Sequence, residues 1–378
     1  MSTSVVTAAP TTDHRGSWVP TWTMITTRLM ELRKRRGLMI AMAVVNIGVP
    51  SIFLIIRLIA HAVAPKSYGP AGGYDIFSAM VAGVMFIFGF IVAATLGASA
   101  GSNDLTDGMF RHLVVTGRSR LAIFFARIPA GLAIVVSMVA AGFTIVCAVC
   151  CFAAPTQLSY NGVNVPANLT HQGFVTWAVD HPKTVICNFS YRDVNVFLPC
   201  GGRNGVTIRG GSGPGTQVTP PPTSSHAQQI TAARKIANED YADYSKVFLA
   251  PPISLMIQSG LWIELEAIIG FMVGLGLASV IGTRTVPTVL MIVFEVIITP
   301  IFARNTIPHL INVQRGLVGL ATAHIEPSAL PRVFGGGGND PVSRLLVPET
   351  LTVAWLVIAA WLIGWTALGA WRMARRDA

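Results

Sequence analysis

Residues 77–100 read FSAMVAGVMFIFGFIVAATLGASA, 24 positions without one charged side chain. A helix of about 20 apolar residues crosses the hydrocarbon core of a bilayer, and a backbone in lipid must satisfy its own hydrogen bonds. The stretch therefore predicts a membrane-spanning helix. Working outward from it, five more stretches read the same way: Leu38–Val63, about Leu121–Ala154, about Gly260–Ile281, Val286–Ala303 and Leu351–Trp371. The run at 121–154 is over-long, so its ends should project or tilt. Composition agrees. Of 378 residues, 27 are Lys or Arg and 17 are Asp or Glu, which makes 12% charged against 52% hydrophobic. Mean hydropathy is +0.59. Soluble domains carry about 25% charged residues, so an ordinary soluble enzyme and a disordered chain are both excluded. The fold class is an all-α polytopic membrane protein with six transmembrane helices.

The net charge of +10 reads as topology. With six spans, residues 1–37, 101–127, 282–285 and 372–378 share one side of the membrane and hold 14 Lys/Arg in 75 positions. The opposite side holds 12 in 162 positions. Basic residues mark the cytoplasmic face. Both termini are therefore placed in the cytoplasm of a cell that carries the protein in its plasma membrane. Nothing before the first span resembles a cleavable secretory signal.

Four segments lie outside the spans. In residues 18–36, Trp18, Trp22, Ile25, Leu29 and Leu32 form a helical stripe, with Arg33–Arg36 following. A helix with Trp on one face and basic residues nearby lies in a membrane interface. Residues 103–115 predict a short amphipathic cytoplasmic helix. Asn103 or Asp104 would cap it, and Leu105, Met109, Leu113 and Phe110 form its apolar face. Gly117 would end it, and Arg118, Arg120 and Arg127 would pin the next span to the inner surface. Residues 155–257 form a large extracytoplasmic insertion between spans three and four, with a loop-like Gly201–Pro222 and one hairpin expected in Val185–Leu198. Cys187 and Cys200 lie in this polar region and are placed to form a disulfide outside the cell. The chain's five cysteines are too few for a disulfide scaffold. Asn168 and Asn188 begin glycosylation-type triplets, which carry meaning only in a host that glycosylates. Residues 304–349 cannot be one helix, and short helices are expected within Thr306–Ala323. The chain thus divides into 1–37, 38–154, 155–257 and 258–378.

Motifs for chemistry are missing from the sequence. There is no G-x-x-x-x-G-K-[ST] phosphate loop, no H-E-x-x-H and no G-x-S-x-G;. No cofactor or metal site is expected on this chain, and the placement of its charge argues against nucleic acid. Ionisable residues inside spans are costly and face a bundle interior or water. They are Glu295 near the middle of span five, Arg57 near the outer end of span one, and Glu264 and Glu266 near the outer end of span four. Arg57 and Glu264 have similar depth and suit a pair. Glu295 suits either a substrate path or a structural role, and Pro287 and Pro300 flank it as kink formers.

The order of parts resembles the membrane subunit of type-2 ABC transporters, the exporter-type permeases. Its most specific piece is DLTDGMFRHLVVTGRSR at 104–120, which is similar to the acid–Gly–hydrophobic–Arg–Leu–Leu–Gly/Pro–x–Ser–Arg pattern of that family. A Trp-Arg-x-x-Arg-Arg-Asp tail after span six is similar too. The resemblance covers about residues 18–152 and 260–376, and departs from the family at the 155–257 insertion. It implies that 103–115 is a coupling helix contacting a separate ATP-binding cassette ATPase subunit through Leu105, Met109, Phe110, Arg111 and Leu113. It also implies a second permease chain, ATP and Mg held by the partner subunit, and efflux of a hydrophobic or amphiphilic substrate by alternating access. Two other classes fit six spans. One is a membrane receptor or immunity protein whose outer loop binds a ligand. The other is a secondary transporter, which would be expected to show internal repeats; none is evident between 38–154 and 260–371.

Overall fold

A computed structural model describes residues 17–64, 70–106, 119–160, 163–188, 224–304, 307–331, 333 and 347–375. Six of its helices are long and apolar enough to cross a membrane: α2 (Arg36–Val63), α3 (Tyr74–Asp104), α4 (Arg120–Phe152), α8 (Ile253–Ile281), α9 (Thr285–Ala303) and α12 (Leu351–Arg375). The chain is an all-α, multi-pass membrane protein. Shorter elements are α1 (Trp22–Lys34), strands β1 (Leu158–Tyr160) and β2 (Val163–Val165), α5 (His171–Asp180), α6 (Pro182–Asn188), α7 (His226–Tyr244), α10 (Ile311–Arg315) and α11 (Val318–His324).

Three spans contain a π-helical turn: Val44–Gly48 in α2, Met80–Met85 in α3 and Val293–Ile298 in α9. Two of them have a local cause. Pro50 and Pro300 each stand two residues past the turn, lack an N–H, and free the carbonyl four residues earlier. In α9 the Thr299 hydroxyl donates to the Phe294 carbonyl at 3.0 Å, which satisfies part of the widened turn.

The described residues form two compact units. The first holds the chain up to Ile56, Ser78–Ala148 and everything from Ile253 onward. Its axis is the crossing of α3 with α8, made close by glycine. A Cβ on Gly97 would lie 2.1 Å from the Phe271 carbonyl oxygen, and one on Gly274 would lie 2.4 Å from that of Ala94. Small residues four apart let helix backbones approach in this way. Phe90, Ala94, Ile269, Val273, Met291, Val318, Ala321, Ala354 and Ile358 form the surrounding apolar core.

The second unit is Arg57–Phe77 with Val149–Pro252. Its core joins Leu158 and Val165 of the antiparallel β1–β2 hairpin to Phe174 and Ala178 of α5, Val185 and Ile186 of α6, and Ala233, Ile236 and Tyr244 of α7. Phe174 stacks on Tyr244 with ring centroids 4.2 Å apart. The Tyr244 hydroxyl donates to the Pro166 carbonyl at 2.5 Å. Ser225 and Gln228 form a complete capping box on α7;.

Several expectations need correcting. The hairpin lies at 158–165, and Val185 begins the buried face of a helix instead. Proline at Pro182, the first position of α6, favours a helix start over a strand;. Residues 189–198 of that expected hairpin, and the Gly201–Pro222 loop, lie outside the described residues. Span four starts at Ile253 rather than near Gly260. Helix α1 starts at Trp22, so Trp18 precedes it, with Pro20 between.

Candidate functional site

The segment expected to form the coupling helix begins differently from the sequence reading. Asn103 and Asp104 do not cap a new helix. They lie in the last turns of α3, which stays helical through Thr106, and both are buried. Leu105 is also helical, at the end of α3. Met109, Phe110, Arg111 and Leu113 lie outside the described residues, as do Gly117 and Arg118.

What flanks that segment is a buried ionic tie. Asp104 takes a two-pronged grip from Arg28 of α1, with Nη2 to Oδ2 at 2.6 Å and Nη1 to Oδ1 at 2.8 Å. The same Oδ2 accepts from Nη2 of Arg127 in α4. The second Nη of Arg127 donates to the Gly101 carbonyl at 3.0 Å, and Arg28 also reaches Glu31 at 2.6 Å. Arg127 therefore does not pin α4 to a surface. Its side chain is 3% exposed, that of Asp104 5% and that of Arg28 14%. Burial alone would lower the pKa of Arg28, but the Asp104 and Glu31 carboxylates outweigh it and hold the value above normal;. One carboxylate thus fastens three helices on both sides of residues 105–119. The surrounding contacts continue the joint: Trp18 meets Phe125 edge-on at 6.0 Å, and the Ser119 hydroxyl donates to the Ser17 carbonyl at 2.6 Å.

A second polar site lies deeper. Glu295, in the π-helical turn of α9, is 3% exposed, and Glu266 of α8 is 1% exposed. The two carboxyls are neighbours. Glu266 lies beside the Thr322 hydroxyl of α11, and Glu295 lies 3.5 Å from the Thr299 hydroxyl. One oxygen of each carboxyl has no hydrogen-bond partner. A Cβ on Gly319 would sit 2.7 Å from both Glu295 oxygens, so only glycine lets α11 come this near. Trp262 Nε1 donates to the Thr322 carbonyl at 3.0 Å and fastens α11 to α8. Glu266 faces the interior, as expected of an ionisable residue within a span;.

Glu264 is one of the predicted intramembrane residues, and both of its oxygens are covered and without a hydrogen-bond partner. Arg57 donates from Nη2 to the Pro70 carbonyl at 2.7 Å. The two residues, suggested as a pair, belong to different units. Cys187, in α6, is disulfide-bonded. Cys200 lies outside the described residues, while Cys147, Cys150 and Cys151 of α4 carry thiols. Among the described residues no cluster of three His, Cys, Asp or Glu suits a metal ion.

The Asp104 tie was missed in the sequence because Asp104 reads equally well as a helix cap. The signal that could have found it is the pairing of one acid at the end of span two with Arg127 inside an apolar run. No family model, no curated protein and no solved structure matches the chain.

Proposed function

We propose that the chain is the permease subunit of an exporter-type ATP-binding cassette transporter, driven by ATP hydrolysed on a separate subunit. Two permease chains would form the pathway for a hydrophobic or amphiphilic substrate, in the plasma membrane with both termini cytoplasmic. The observation that carries this reading is the Asp104 tie. A segment that receives force from an ATPase must be joined rigidly to the helices it moves. Residues 105–119 are bounded by α3 and α4, and Asp104 links those two helices to each other and to the amphipathic α1. Displacement of that segment would move three helices together. The short helices α10 and α11 ahead of the last span, and the absence of a phosphate loop, support the same reading.

Within it, Leu105, Met109 and Leu113 are the apolar anchors for the ATPase and Arg111 orients the contact. Burying one such side chain contributes about 1.5–3 kcal/mol. Met109→Asp with Leu113→Asp should leave membrane insertion intact, abolish co-purification of the ATPase and stop substrate-stimulated ATP hydrolysis. A double variant that keeps its ATPase and transports normally would refute the assignment.

A further inference from the structure

At the joint between α1 and α2, three arginines and two hydroxyl groups surround a cavity of about 390 Å³. Arg35 and Arg36 come from the joint itself, Arg284 from the link between α8 and α9, and Thr95 and Ser99 from consecutive turns of α3. No acidic residue lines it. Neither Arg36 nor Arg284 forms an ion pair among the described residues. Ser99, 5% exposed, is the buried polar residue of this lining. The cavity is also lined by Arg36, Gly37 and Leu38, the first three positions of α2, and no side chain caps that helix. Uncapped N–H groups at a helix start carry partial positive charge and suit an anion.

We infer that this cavity binds a phosphate group, the headgroup of an anionic amphiphile, between Arg36, Arg284 and the Ser99 hydroxyl. Guanidinium groups favour phosphate because their planar N–H pairs match two phosphate oxygens. A buried hydroxyl supplies a further donor that a purely electrostatic surface patch would not have. The amphiphile is favoured over a free anion by what adjoins the cavity. A Cβ on Gly37 would meet nothing within 4 Å, so the wall is open there. Ile40 and Val44, at helical spacing from Gly37, are 62% and 52% exposed. They form an apolar track for a hydrocarbon chain running from the mouth of the cavity along α2. This site is independent of the energy-coupling reading, since it involves none of the residues assigned to the ATPase.

The test uses the purified full-length chain without an ATPase, so its outcome does not depend on that reading. Native mass spectrometry reads retention of phosphatidylglycerol against phosphatidylcholine, with and without millimolar inorganic phosphate. The wild type should retain phosphatidylglycerol selectively. Arg36→Gln with Arg284→Gln should weaken retention about tenfold or more, and Ser99→Ala should weaken it less. Arg372→Gln with Arg375→Gln removes as much charge elsewhere and should change little. A Cβ at Gly37 has open space, so Gly37→Leu adds bulk at the mouth and improves helix propensity;. It should therefore lose the lipid while remaining at least as stable to heat. Binding of inorganic phosphate without lipid retention, lost in the same double variant, would uphold the anion site and assign it to a soluble phosphate. Equal losses in the two double variants, or none in either, would overturn the proposal.

Discussion

Removing the Asp104 carboxylate should be among the most damaging single changes in the first unit. Asp104→Ala leaves the Arg127 guanidinium 3% exposed with only the Gly101 carbonyl as a partner. An uncompensated buried charge of this kind costs about 3–5 kcal/mol. Arg28 is more accessible and can turn to water, so Arg28→Ala should cost less, about 1–2 kcal/mol. For a chain of this size the larger loss corresponds to a fall of about 4–6 °C in apparent Tm. The second arm removes the stranded charge as well. Asp104→Ala with Arg127→Met replaces the pair by apolar groups and should recover most of the loss, because desolvation of the charge is the main penalty. Thermal unfolding of the purified protein in detergent, followed by intrinsic fluorescence, reads the wild type and all three variants. A single variant within about 1 °C of the wild type, or a double variant no better than the single, would refute the argument.

The glycine crossing and the start of the last span give two more tests. Gly274→Val should destabilise by about 1–3 kcal/mol or more, since its Cβ would meet the Ala94 carbonyl oxygen at 2.4 Å;; Gly364→Val, where a Cβ has open space, is the control, and equal Tm values would contradict the close approach. Burial raises the pKa of Glu349, partly offset by His324 at 3.6 Å and by Arg315. The folded state then holds that proton more tightly than the unfolded one, so stability present at low pH is lost as pH rises through the raised value. Glu349→Gln should flatten this decline, and an unchanged pH profile of Tm would count against it.

The spans were readable because lipid imposes one simple demand. An uninterrupted apolar run such as 77–100 must close its own hydrogen bonds, so the six helices followed from length and composition. Their ends were less readable. The apolar run of α8 stops at Gly260, but the helix continues through Gln258 and Ser259 to Ile253, since a helix end needs no hydrophobicity. Asp104 was ambiguous for a related reason. A single acid after an apolar run reads as a cap for the next helix or as the last turn of the previous one. Only the position of Arg28, 76 residues away, separates the two. The small second unit was the least readable part. Its core comes from pieces as distant as Leu158 and Tyr244, and nothing in a local pattern couples them.

The polar groups of the first unit have a common logic. Each site lies where two backbones approach closely or a helix is locally widened. Gly97 and Gly101 bring α3 against α8, and Gly101 also gives its carbonyl to Arg127. Ser99, between these two glycines, lines the arginine-lined cavity. Glu295 enters the interior through a π-helical turn and lies against Gly319. A rigid crossing thus carries the ionic tie at one end and the arginine-lined cavity beside it. Movement of α3 relative to α2 would alter the spacing between Ser99 and Arg36. Binding of an anion there should then depend on the position of α3, and α3 is the helix that Asp104 fastens to α1 and α4. An amphiphile in the cavity and a force on residues 105–119 would act on the same helix, so each should change the effect of the other.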